Sequence, residues 1–144
     1  MNKIKTKMIK FENYVKNCRT KIEEMKKSFF IMYIMYIFGC LAIIRANFYY
    51  IDDMVRANWG SRAYEPFSRY LSNFLSIFVH GGKHLTDVSP LTQFLAMAFI
   101  AASAIIILYL VTDKTKFSFW ELVALIPLGL SPYYLECISY KFDC

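Results

Sequence analysis

Lys26-Lys27-Ser28-Phe29-Phe30-Ile31-Met32-Tyr33-Ile34-Met35-Tyr36-Ile37-Phe38-Gly39-Cys40-Leu41-Ala42-Ile43-Ile44 decides the fold class. Two lysines run directly into seventeen residues that carry no charge. Seventeen residues is the short end of what crosses a bilayer as a helix. The lysines beside it are of the kind retained on the cytoplasmic side, so the span is expected to run outward from there. A cleaved signal peptide fits poorly: its n-region would be too long, and Arg45-Ala46-Asn47-Phe48 offers no small-x-small cleavage site.

Upstream, residues 1–27 hold nine Lys/Arg and three Glu, which equals the net charge of +6 of the whole chain. The excess is therefore a basic head rather than a basic globule. Ile4, Met8, Phe11, Val15 and Ile22 recur near helical spacing, so the head is expected to lie as an amphipathic segment on the anionic inner leaflet. It lacks any base-reading module, which argues against a nucleic-acid partner. The composition agrees with a membrane class, at 57% hydrophobic and 19% charged; soluble domains run at roughly 45–50% and about 25%.

Downstream, Leu91–Val111 is a second uncharged run of 21 residues, about 31 Å as a helix and enough to cross the hydrocarbon. Ser89 and Pro90 read as its N-cap and first helical position. Residues 112–116 form a polar cytoplasmic turn. Phe117–Leu130 is a third apolar segment, weakened by Pro127, Gly129 and Pro132, with Glu121 expected to snorkel to the cytoplasmic surface. Residues 131–144 then form an outer tail. The fold class expected is all-α: a polytopic membrane protein with two to three transmembrane helices. Residues 45–89 form its long outer loop. Within that loop the stripe Tyr64, Phe67, Tyr70, Leu71, Phe74, Leu75 and Phe78 predicts an amphipathic helix over about 61–80, lying in the interface or packing on the spans.

Chemistry is sparse. There is no P-loop, dinucleotide-binding glycine pattern or nucleophile elbow. His80 and His84 are separated by Gly81-Gly82, which reads as a solvated turn rather than a helical metal site. The cysteines at 18, 40, 137 and 144 have no zinc spacing, and a disulfide between the last two is permitted but not implied. What stands out is Tyr49-Tyr50-Ile51-Asp52-Asp53-Met54-Val55-Arg56-Ala57, just past the first span. Two adjacent carboxylates there suit a general base acting on a hydroxyl, and Arg56 suits a phosphate or a pairing with Asp52. Two solvated acids with a local ion pair are the plainer alternative.

Three strings occur in order: the one at 49–57, Asp87-Val-Ser-Pro-Leu-Thr-Gln93, and Gly129-Leu-Ser-Pro-Tyr-Tyr-Leu-Glu136-Cys-Ile-Ser-Tyr-Lys-Phe-Asp143. Together they resemble the start of the bacterial O-antigen glucosyltransferases of the Gtr serotype-conversion type, polytopic enzymes of the GT-C class. The resemblance covers about residues 28–144. It implies a multi-pass protein of the bacterial inner membrane that takes a hexose, glucose above all, from a polyprenyl-phosphate carrier. The sugar passes to a lipopolysaccharide O-antigen or similar glycan on the outer face. Asp52 and Asp53 match the position of the family's catalytic acid. Arg56 and Arg62 are candidates for the carrier phosphate, and Asp87 and Glu136 for sugar hydroxyls. No cofactor or metal is obligatory, although a divalent cation bridging Asp52 or Asp53 is compatible. Family members are several times longer, so the chain is expected to be an N-terminal fragment, a truncated product of a disrupted gene or one part of a split enzyme, with the missing C-terminal part or a flippase as its partner. A small non-catalytic membrane interaction protein is the competing expectation.

Overall fold

The computed structural model describes residues 2–60, 70–82 and 86–141, with side chains placed for 7–50, 53–60, 70–71, 74–82 and 86–141. The elements are seven helices among these residues: α1 (Asn2–Ala46), α2 (Ile51–Trp59), α3 (Tyr70–His80), α4 (Leu91–Thr112), α5 (Phe119–Val123), α6 (Ile126–Gly129) and α7 (Pro132–Ser139). The protein is all-α among the described residues, and α1 and α4 are each long and apolar enough to cross a membrane.

α1 joins the head and the first span in one helix of 45 residues, about 67 Å at the usual rise. The head therefore continues the span's own helix, where the sequence suggested a separate segment lying on the leaflet. α4 packs against α1 as an antiparallel partner. Lys21 Nζ donates to Tyr109 Oη at 2.8 Å, and at the other end Tyr33 Oη donates to the Phe94 carbonyl at 3.2 Å. The core between them is narrow: Met32, Tyr36 and Cys40 from α1 meet Met97, Ala101, Ala104 and Ile105 from α4, with Leu122 and Ile138. Small residues on α4 let two backbones approach closely, as membrane helix pairs require. Phe30, Ile34, Phe38 and Leu41 point outward from α1, and Phe99, Ile106 and Leu110 from α4. So wide an apolar exterior suits hydrocarbon as the solvent and is foreign to a soluble domain.

The third apolar segment is not one straight helix. The stretch Phe119–Gly129 and the helix Pro132–Ser139 are bent by 62° against each other. Pro127 and Pro132, which cannot donate to the preceding turn, sit at the breaks. At its start, Thr115 Oγ1 donates to Glu24 and Lys116 Nζ lies 3.6 Å from the same carboxylate, beside the end of α4. At its finish, Gln93 Nε2 donates to the Ile138 carbonyl and Thr92 Oγ1 to the Lys141 carbonyl, beside the start of α4. The bent pair thus runs the whole length of α4, from its Thr112 end to its Leu91 end, as a broken span does. Residues 131–141 carry the helix α7 where the sequence reading had only a tail.

One local reading changes. Ser89 does not cap α4: the helix starts at Leu91 with Pro90 at the cap position, the Ser89–Pro90 peptide is cis, and the Ser89 hydroxyl donates to Gln93 Oε1. Glu121 reaches back toward the polar turn. It closes a capping box with Ser118, accepting the Ser118 N–H at 2.7 Å, and pairs with Lys114 at 2.9 Å. The N-terminus of α5 has orphan amides, and a carboxylate one turn in is placed to accept one.

Gly129 is where this packing is tightest. A Cβ there would lie 2.4 to 2.8 Å from three ring atoms of Tyr36, whose side chain is buried and whose hydroxyl is tied to the Leu125 carbonyl at 2.9 Å. The ring cannot retreat, so Gly129→Ala is expected to cost about 1–3 kcal/mol. Gly39→Ala meets only the tips of the flexible Leu130 side chain. Thermal unfolding of the two variants in detergent should rank Gly129→Ala well below Gly39→Ala; equal melting temperatures would remove this account of the contact.

Candidate functional site

The chain reverses after α1 at Asn47, whose φ of 45 is left-handed, a conformation asparagine tolerates better than most residues. α2 then starts at Ile51, and Gly60 ends it in the left-handed region, its N–H reaching the Arg56 carbonyl at 2.7 Å. The reversal carries Asp53 back over the start of α4. Asp53 is fully buried, with 0% exposure. Its Oδ2 accepts the Lys141 backbone N–H at 3.0 Å, while Oδ1 is buried without a hydrogen-bond partner.

Lys141 is the hub of the cluster. Its side chain is 1% exposed and its ammonium lies 3.3 Å from Asp87 Oδ2. The same ammonium stands 3.7 Å from the centroid of the Tyr49 ring. A buried ammonium needs such neighbours, because losing its hydration costs several kcal/mol without them. The Tyr49 hydroxyl donates to Asp87 Oδ2, and the Ser89 N–H to Asp87 Oδ1 at 3.0 Å. The rings of Tyr50 and Tyr140 meet at a tilt of 34° with centroids 4.6 Å apart. Thr92 and Gln93 fix the backbone leading to Lys141 by donating to the Lys141 carbonyl and, at the C-terminal end of α7, to the Ile138 carbonyl.

The electrostatics follow from these contacts. Burial pushes the Asp87 carboxyl up, but hydrogen bonds from Tyr49, Ser89 and Lys141 and the lysine's charge outweigh it and hold Asp87 below the usual range. The same Tyr49–Asp87 hydrogen bond raises the Tyr49 phenol, with burial and the charges of Asp87 and Asp53 adding to it. Asp87 ionises more readily folded than unfolded, so its stabilisation is present above about pH 4 and lost as pH falls through its lowered value. Tyr49 works in the other direction: its contribution is present below about pH 10 and lost as pH rises. Unfolding curves against pH should therefore show wild type and Asp87→Asn converging below about pH 4. A constant gap across that range would contradict the linkage.

Asp53 and Asp87, two of the residues singled out from sequence, are brought together here. Asp52 lies on α2, and its side chain is outside the described residues, as is Arg62 altogether. Arg56 is half-buried on the last turn of α2. Glu136 is exposed on α7, and none of the described hydrogen bonds joins its carboxylate to the cluster. Tyr49 and Lys141 carry the geometry and were not singled out. The available signal was a lone lysine in an aromatic string. His80 Nδ1 donates to the Thr86 carbonyl, 2.7 Å away, and His84 is outside the described residues. Cys18, Cys40 and Cys137 form no disulfide among the described residues; Cys144 is not among them. The described residues include no group of three or more His, Cys, Asp or Glu placed to hold a metal. The apolar stripe of α3 (Tyr70, Leu71, Phe74, Leu75, Phe78) is exposed rather than packed as core.

The described residues thus gather two acids, a tyrosine and a buried lysine at one end of the helices that are long and apolar enough to cross a membrane. This chain belongs to the glucosyl transferase GtrII family, whose model matches residues 41–144. All three strings that meet in the cluster fall inside that match. No curated protein and no solved structure matches the chain significantly.

Proposed function

We propose that the chain carries the first spans and the acidic site of a glucosyltransferase of the bacterial inner membrane, with the head cytoplasmic and the cluster on the outer face. The donor is glucose on a polyprenyl phosphate, and the acceptor is a hydroxyl of a lipopolysaccharide O-antigen. The observation that carries this reading is the meeting of Asp53, Asp87 and Lys141, one from each of three distant strings, at the surface end of the spans.

In the reaction, the acceptor oxygen bonds to the anomeric carbon while the bond from that carbon to the carrier phosphate breaks. The phosphate leaves with the bonding electrons, and the hydroxyl proton passes to a carboxylate. Asp53 is the base in this scheme: the Lys141 backbone N–H fixes one of its oxygens, the other has no hydrogen-bond partner, and because the carboxylate is buried α2 must lift for the acceptor hydroxyl to reach it. Asp52, next to it in sequence, adds a second negative charge to the string. Arg56 and Arg62 hold the carrier phosphate as charge-assisted donors. Asp87, with both oxygens engaged inside the chain, positions Tyr49 and Lys141, and Glu136 meets sugar hydroxyls from α7. A phosphate carrier is a good leaving group, so positioning and charge stabilisation suffice.

The test supplies polyprenyl-phosphate [14C]glucose to membranes containing a full-length family member that bears these strings. Label should move to O-antigen. A sugar nucleotide serving as the direct donor, with the lipid-linked sugar inert, would sink the proposal.

A further inference from the structure

We propose that the face of α1 formed by Met8, Phe11, Val15, Cys18 and Ile22 docks an acidic amphipathic helix of a partner protein. Met8, Phe11, Val15, Cys18, Ile22, Met25, Phe29, Met32 and Tyr36 follow one another in steps of three and four along a single helix. That spacing is the seam of a coiled coil. Its upper half is occupied: Met32 and Tyr36 are buried, and Met25 and Phe29 pack against the same core. Its lower half is not. Met8 is 67% exposed, Phe11 70%, Val15 46% and Ile22 61%. α4 stops at Thr112, and the chain turns back beside Lys21 and Glu24. The seam therefore runs on past the end of its intramolecular partner as an uninterrupted extension of the interface.

Lipid explains the exposed face of the upper helix but not this one. Between residues 7 and 22 stand Lys7, Lys10, Lys16, Arg19 and Lys21 against the single Glu12, too much charge for hydrocarbon. The seam is flanked by Lys7 and Lys21 on one side and by Arg19 and Lys26 with Glu12 on the other. Such flanks select a partner helix with glutamate or aspartate beside its own apolar seam, and they repel a second copy of the same basic head. The segment lies before residue 41, where the match to the family begins.

The test uses the full chain in nanodiscs of zwitterionic lipid. The probe is a fluorescein-labelled peptide of four heptads with leucine in the seam and glutamate on both flanks; its twin carries lysine on the flanks. The glutamate peptide is expected to bind saturably, the lysine twin not at all. Phe11→Ser with Val15→Ser should weaken binding about tenfold or more, as two buried apolar contacts imply. Both positions are exposed, so the fold of the spans is not at stake. Absence of binding by the glutamate peptide would overturn the proposal. So would binding that ignores the two serines, or capture of the head by phosphatidylglycerol vesicles with the same indifference. Oxidation that links Cys18 to Cys18 of a second copy in the membrane would instead assign the seam to self-association.

Discussion

Replacing Lys141 by alanine is expected to destabilise the protein by roughly 2–4 kcal/mol, toward the lower part of the range for breaking a buried ion pair. The lysine is 1% exposed, but Asp87 keeps a third of its side chain in solvent, which tempers the cost. Three things are lost at once: the charge facing Asp87, the cation over the Tyr49 ring, and the packing of a long buried stem. The backbone N–H that holds Asp53 remains, but the side chain that anchors that backbone does not. Lys141→Met restores the packing and should recover part of the loss. The measurement is a double-mutant cycle of Lys141→Met with Asp87→Asn, read by thermal unfolding in detergent. Coupling of about 1 kcal/mol or more is expected for a contacting pair in one network. Additive effects would mean that the ammonium and the carboxylate do not support each other.

Asp53→Asn is expected to lower glucosyl transfer by about 10²–10⁴-fold, the usual contribution of a positioned general base, while leaving the fold close to intact. Asparagine keeps an oxygen for the Lys141 N–H, and the atom it changes has no partner to lose. Asp52→Asn should reduce transfer less, because it removes only a neighbouring charge. Initial rates in membranes containing a full-length relative with the same string decide between them. Full activity in both single variants and in the double variant would sink the assignment of either acid to catalysis. A large loss confined to Asp52→Asn would move the base one residue upstream.

The spans were legible in the sequence because span length and charge are local quantities. An uncharged run is as apolar in isolation as in the folded chain. The short polar turn at residues 112–116 likewise dictates that α4 and the following segment run in opposite directions. What could not be read was how the third segment crosses. Proline and glycine announced weakness, but only contacts at both ends of α4 show that the bent pair traverses its full length. The continuity of head and first span was also hidden, because a polar helix and an apolar helix differ in composition but not in backbone.

The same division holds at the site. Asp52 and Asp53 look equivalent in sequence, and so do the other acids of the three strings. Which of them is buried depends on where the turn at Asn47 aims α2, and that is set by packing rather than by propensity. Lys141 stands 88 residues from Asp53 and 54 from Asp87, so no window of sequence contains their meeting. By itself, the sequence determined a helical membrane protein with a charged head and acids beyond its first span, because hydrophobic length and charge act locally. The tertiary structure alone decided that Asp53 is sealed, that Asp87 is engaged and that Lys141 joins them, because a buried charge is tolerated only where distant strings supply its partners.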